Sequence, residues 1–336
     1  MKTLDILKQS HLSLHLSPIT IRELIGLGHS PADIFVFENE QYILSIKKGA
    51  YLDTKVLRQH IEKGHSSVFV REDGRDSIIS AQQENLRVIT RSFSMGNSKD
   101  NAIKQLNLLT INLRYLFEDP TNDETLNLQH QSLKILFNYL YKNSKHHEEI
   151  FHHYIKQGHH YIFAQPVLCS IFLIGILKTA HVYSQKDIEN LFIASYFKDI
   201  GMCAIPLEKY DQNELSIKDK QILSKHPETS VRILKGRLPL TPNFFEVIKY
   251  HHSFSLLKRD LGTELSFSDN MRIIGFETVM VNICDIIAAM ISPRPYREAE
   301  SLYASLKLVR EIISPEYPNE FKLIVNYFRS FFTVAI

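Results

Sequence analysis

Residues 184–206 read SQKDIENLFIASYFKDIGMCAIP, and the reading of the rest of the chain follows from this stretch. Ser184-x-x-Asp187 opens it as a capping box in outline, with side chains spaced to satisfy the first free N–H groups of a helix. The helix ends at Gly201, which leaves Asp199 at a helix terminus. An ionisable group at the end of a buried helix is expensive unless it is paired or metallated. Three further places offer the same kind of group. His226 precedes Pro227 at a helix junction, His251 and His252 end another helix, and Asp285 lies inside the apolar helical stretch 279–290. Neutral imidazoles with a bridging carboxylate are what divalent iron, manganese or zinc requires. By spacing alone, hydrogen-bonded core histidines and aspartates are the competing reading.

Outward from this stretch the pattern is helical. Residues 167–177 form the longest apolar run, too short for the ~20 residues of a bilayer span, and read as a buried helix. Leu106, Leu109, Leu113, Leu116 and Phe117 repeat at helical spacing, as do Leu133, Leu136, Phe137 and Leu140, with a loop at residues 119–123 between them. Those stripes suit dimerisation helices and an intramolecular core equally well. Ser216-x-x-Asp219 and Thr241-Pro242 mark further helix starts. Toward the amino terminus the signal changes: residues 34–37 and 42–46 form a hairpin, 53–62 a helix and 67–70 a strand before a turn at Glu72-Asp73-Gly74. The fold class is therefore mostly α, with a small α+β regulatory or docking module at residues 1–80. A helical connector follows at 81–145, with residues 92–100 as its most polar linker, and an all-helical domain occupies 146–336.

Composition removes several classes of function. The chain has 336 residues, 16 His and only 12 Gly, the last about half the ordinary share. No GxGxxG or GxxxxGK[ST] string occurs, so dinucleotide and P-loop readings fall away. A formal net charge of +2 provides no field for a nucleic-acid polymer or an anionic membrane. Cys169, Cys203 and Cys284 are an odd number without CxxC spacing, which fits a reducing compartment, with cytoplasm as the default. The amphipathic first residues lack the apolar core and cleavage site of a signal peptide. Six histidines, 146, 147, 152, 153, 159 and 160, form adjacent pairs whose members point about 100° apart on a helix. They cannot converge on one ion and read as solvated or interface residues.

Taken in order, Lys198-Asp199-Ile200-Gly201-Met202, Ala204-Ile205-Pro206, Lys225-His226-Pro227-Glu228, Tyr250-His251-His252, Asp285 and Arg294-Pro295-Tyr296-Arg297 resemble the blocks of the HD-GYP domain. The resemblance covers about residues 150 to 315. It implies a helical HD-superfamily fold that hydrolyses cyclic-di-GMP at a two- or three-metal centre. It also implies Asp199, His226, His251, His252 and Asp285 as metal ligands, and Arg294 and Arg297 as contacts for the ligand's phosphates.

The departures from that pattern are as informative as the matches. The histidine of the family's His-Asp pair is Lys198, its phosphate lysine is Met202, and the aspartate three residues beyond Asp285 is Ala288. The upstream metal histidine is missing from Ala164-Gln165-Pro166-Val167, and residues 253–269 lack the Gly-Tyr-Pro loop. Carried over residue by residue, one metal keeps only Asp199 and Asp285, whereas its neighbour keeps Asp199, His226, His251 and His252. Lys198 fits as a metal-replacing cation, its ammonium offsetting two carboxylates that a lost cation no longer neutralises; the other reading is a lysine that snorkels to solvent. The arginines read equally as a surface turn before a helix from Arg297.

The expectation is a catalytically impaired sensor or scaffold of bacterial cyclic-di-GMP signalling. It would hold at most one divalent metal (Fe, Mn or Zn) and take cyclic-di-GMP or a signalling protein as its partner. Two alternatives stay open. In the first, a weakly active phosphodiesterase, the remaining site still cleaves a phosphodiester slowly, with His159 or His160 as candidate recruits, although about 10 Å of helix rise separates His159 from Pro166. The other alternative is a metal-free interaction scaffold.

Overall fold

The computed structural model describes residues 15–62, 67–95, 99–252, 275–314 and 317–332. The chain divides into two compact units between Arg91 and Ser92.

The first unit is built on a four-stranded antiparallel sheet, β1 (Leu16–Thr20), β2 (Ile34–Glu38), β3 (Gln41–Ile46) and β4 (Ser67–Arg71), in the order β1-β4-β2-β3. The hairpin forms as its sequence dictates. Glu38 pairs with Gln41, and the two residues between them, Asn39 and Glu40, both take positive φ, 48° and 62°. That backbone matches the twist of the flanking strands, and asparagine tolerates it. Val68, Val70, Ile34 and Ile46 point to one face, where α1 (Thr54–Glu62) supplies Leu57 to the same core. The turn expected at Glu72-Asp73-Gly74 is instead the first turn of α2 (Glu72–Met95). Gly74 is there for close approach rather than for a bend: a Cβ on it would lie 2.8 Å from the Ala32 Cβ. The expected polar linker is largely helical as well. Ser92–Met95 end α2, Lys99 and Asp100 begin α3 (Lys99–Glu118), and residues 96–98 lie outside the described residues.

In the second unit α3 and α4 (Asp123–Lys142) pack on each other and on the helices that carry the site. The expected connector helices are thus part of the domain core, and Leu106, Leu109, Leu113, Leu133, Leu136 and Leu140 are buried within it. After α5 (His147–Lys156), the axis of the unit is α6 (Tyr161–Ala180), with 83% of its most apolar window buried. Around it lie α7 (Gln185–Phe197), α11 (Phe276–Met290) and α13 (Pro318–Phe328). The short helices α8 (Ile217–Leu223), α9 (His226–Leu234) and α10 (Pro242–Tyr250) close one end, and α12 (Leu302–Ile313) packs on α11. Gly175 of α6 makes room for Tyr327 of α13, whose ring would lie 1.9 Å from a Cβ there.

One of the paired histidines departs from the solvated reading. His147 is buried, donates from Nε2 to the Leu140 carbonyl at 2.9 Å and accepts at Nδ1 from the Tyr327 hydroxyl at 3.2 Å. Burial pushes its imidazole down to about 4, so the folded chain holds it neutral while the unfolded chain protonates it near 6.5. The unfolded state therefore binds more protons between these values, and stability, full above about pH 6.5, falls as the pH drops toward 4. Between pH 7 and pH 5 this one group should remove about 2 kcal/mol. Urea unfolding at the two pH values should show that loss in the native chain and not in His147→Gln; equal pH slopes would refute it.

Candidate metal centre

Three helix ends converge on one point. Asp199 follows α7, capped at its start as the sequence indicates: the Ser184 hydroxyl accepts from Asp187 N at 3.1 Å. His226 opens α9 with Pro227 behind it, and His251 and His252 follow the last turn of α10. Asp199, His226 and His251 are buried and His252 is partly exposed. One ligand atom from each of the four lies within 4.8 Å of the others. Asp199 Oδ1 is 3.0 Å from His251 Nε2 and 3.2 Å from His226 Nε2. His226 Nε2 is 3.4 Å from His251 Nε2 and 3.2 Å from His252 Nε2.

Proton positions decide what these contacts mean. His226 Nδ1 is 2.6 Å from the Leu223 carbonyl, and His251 Nδ1 is 2.6 Å from the Ile248 carbonyl. A carbonyl only accepts, so each Nδ1 carries the proton and each Nε2 of a neutral ring presents a lone pair. Burial pushes the imidazoles of His251 and His252 below their ordinary value, His252 further because His251 and His226 adjoin it. Asp199 Oδ1 and the Nε2 atoms of His226 and His251 are thus acceptors facing acceptors, which a shared cation would satisfy. Ligands about 2.0–2.1 Å from an ion sit about 2.9 Å apart in octahedral and about 3.4 Å apart in tetrahedral geometry. The observed 3.0–3.4 Å separations fit that range, and the nitrogen-rich donor set suits zinc, iron or manganese. The backbone carbonyls on Nδ1 are the outer partners that orient ligating histidines in metal sites.

Asp285, expected among the ligands, lies outside this cluster. Its Oδ1 faces the Lys198 ammonium at 2.5 Å, and the same ammonium bonds Asp199 Oδ2. Lys198 is fully buried, with 0% exposure, so the snorkelling reading fails. Burial alone would lower its pKa, but Asp199 and Asp285 outweigh burial and hold the ammonium above the ordinary lysine value. Asp199, which burial would raise, is held well below the usual carboxylate range chiefly by the Lys198 ammonium.

A residue that the sequence reading passed over completes the network. Gln165, the one amide in the apolar start of α6, donates from Nε2 to Asp285 Oδ1 at 2.9 Å and accepts from Arg294 at 2.8 Å. The Arg294 guanidinium stands 4.9 Å over the Tyr161 ring, and Arg297 donates to the Ala289 carbonyl at 2.7 Å. The two arginines form a tight turn bridged by their own backbones. The helix expected from Arg297 begins only at Leu302, where Ser301 provides the cap. His159 and His160 stay away from the centre: His159 bonds Asn107, and His160 caps α6 and pairs with Asp211.

No family model matches the chain, and no curated protein matches it. Among solved structures it is similar to Bd1817, a HDG"Y"P protein from Bdellovibrio bacteriovorus, with a TM-score of 0.62 and 15% identity. The match covers 94% of this chain and 99% of that one. At this identity the likeness speaks for architecture, and it spans both the sheet-bearing unit and the helical one. The chain shares the fold of that HD-GYP protein, a helical domain preceded by a small α+β unit.

Proposed function

We propose that this chain is a degenerate HD-GYP-type signalling domain that holds one divalent cation and binds cyclic-di-GMP without hydrolysing it efficiently. The observation that supports this reading is the distribution of donors around Asp199. Two imidazoles face its Oδ1 with a third beside them, and a lysine ammonium bonds its Oδ2. Hydrolysis of a phosphodiester at a two-cation centre relies on one ion to make the nucleophile and on both to stabilise the developing charge. A chain with ligands for a single ion retains the means to bind an anionic ligand and lacks half of that chemistry. Arg294 and Arg297 are the proposed phosphate contacts, since planar guanidinium groups match phosphate oxygens. Three free cysteines and the burial of α6 accord with a soluble protein in a reducing compartment. Sensor or scaffold is the role such a domain would play, through a signalling partner.

Calorimetric titration of cyclic-di-GMP into manganese-loaded protein, with chromatography of the nucleotide afterwards, tests this. The expected result is saturable binding, weakened at least tenfold by Arg294→Ala, with the nucleotide recovered intact. Linear or mononucleotide product that disappears in His226→Ala would establish a phosphodiesterase. Absence of both binding and product would leave an interaction scaffold.

A further inference from the structure

We propose that the Lys198 ammonium is a built-in cation filling one half of a two-cation centre, and that Asp199 and Asp285 around it form a latent second site for a hard divalent ion. The inference deepens the one-cation reading above and rests on it for the occupant of the other half.

Asp199 is placed as a bridging carboxylate. Its Oδ1 lies 3.0 Å and 3.2 Å from two imidazole nitrogens, while its Oδ2 bonds Lys198 Nζ. The ammonium therefore occupies, relative to this carboxylate, the position opposite the histidine cluster. A second carboxylate completes its surroundings, with Asp285 Oδ1 at 2.5 Å. Neither acid is solvated: Asp199 and Asp285 are each 4% exposed. Two buried carboxylates on one point demand positive charge there, and carboxylate oxygens are the donors that hard cations prefer. Lysine meets the demand covalently. Gln165 holds the far side of the arrangement, donating to the same Asp285 oxygen that meets Nζ. The arrangement excludes a second divalent ion for two reasons: Nζ stands on the oxygens such an ion would use, and its charge repels one. The centre is limited to one exchangeable cation whatever metal is supplied.

Native mass spectrometry after gel filtration from excess manganese or zinc counts the ions, and thermal denaturation with and without metal reads the charge balance. The native chain should carry one ion. Lys198→His, which exchanges the ammonium for a ligand, should carry two. Lys198→Met, which keeps the length of the side chain and removes its charge, should melt about 10 °C lower without metal, the shift expected from stranding buried carboxylates in a domain of this size. In Lys198→Met with Asp285→Asn, where the second carboxylate is also neutralised, most of that loss should return. Two ions on the native chain, one on Lys198→His, an unshifted Lys198→Met, or no recovery in the double variant would each overturn the inference. If the native chain carries no ion while the melting series behaves as described, the one-cation reading falls and the built-in cation stands.

Discussion

Gly201→Ala should abolish metal binding at the Asp199 cluster and remove roughly 3 kcal/mol or more of stability, the upper end of what overpacking costs. A Cβ on Gly201 would lie 2.2 Å from the His226 carbonyl oxygen and 2.6 Å from the Ser230 amide nitrogen. Both are backbone atoms of α9, so no rotamer change relieves the contact, and the helix must withdraw. Gly201 N also donates to Ser230 Oγ at 2.8 Å, so the same movement strands a buried amide. The displaced helix begins with His226, and the displacing segment begins just after Asp199, so both ligands lose register together. A shift of about 1 Å is enough to spoil ion–ligand distances that tolerate about 0.2 Å. Urea unfolding together with competition against a chromogenic zinc chelator would check this. Gly236→Ala is the matched control. Gly236 has φ of +80° and nothing within 4 Å of a Cβ, so about 1 kcal/mol of backbone strain should be the whole effect, with zinc affinity unchanged.

Asp199→Asn is the second large effect. The amide keeps the shape of the side chain but removes the negative charge that serves both the histidine cluster and Lys198. Divalent affinity should fall on the order of 100-fold or more, since the loss of even an orienting partner outside the ligand shell costs 10–100-fold. Stability should fall as well, by about 3–5 kcal/mol, the usual cost of breaking a buried ion pair. Lys198 is then left with Asp285 as its carboxylate partner. The His252→Ala variant should be milder on both counts, because His252 is partly exposed and stands apart from the ion pair. Zinc competition and denaturant unfolding on the three proteins would give the order native, His252→Ala, Asp199→Asn. Native-like zinc affinity in Asp199→Asn would remove the cluster from consideration as a cation site.

Much of the site was legible because its residues sit where short-range chemistry marks helix ends. Ser184, Pro227 and Pro242 announce where α7, α9 and α10 start, and Asp199, His226, His251 and His252 stand at these termini. Their convergence came from the order of the motif blocks rather than from periodicity. Partners chosen by tertiary packing were not legible. Gln165 and Asp285 are 120 residues apart, and His147 and Tyr327 are 180 apart. A local pattern can show that Gln165 interrupts an apolar helix face, but not which carboxylate it meets. Gly74 was misread for a related reason. In sequence a glycine after two acidic residues signals a turn, whereas in the fold the absent Cβ admits Ala32 and the acidic residues favour a helix start. Lys198 falls between these cases: the adjoining Asp199 identified its first partner, and only the packing of α11 against α6 and α10 supplied Asp285.

The two imidazoles that reach back three residues, His226 to Leu223 and His251 to Ile248, carry a consequence for the speed of ion capture. Each uses a carbonyl near the C-terminal end of the helix before it, a group the helix leaves without an internal partner. The ring is thereby locked by its own short segment as soon as that segment folds, and no search over side-chain rotamers remains when an ion arrives. Rotational freedom that a loose ligand would surrender on binding has already been surrendered in folding. For an ion bound at this cluster, the association rate would be set by passage past the partly exposed His252, and its lifetime by the strength of its bonds to these side chains rather than by their rearrangement.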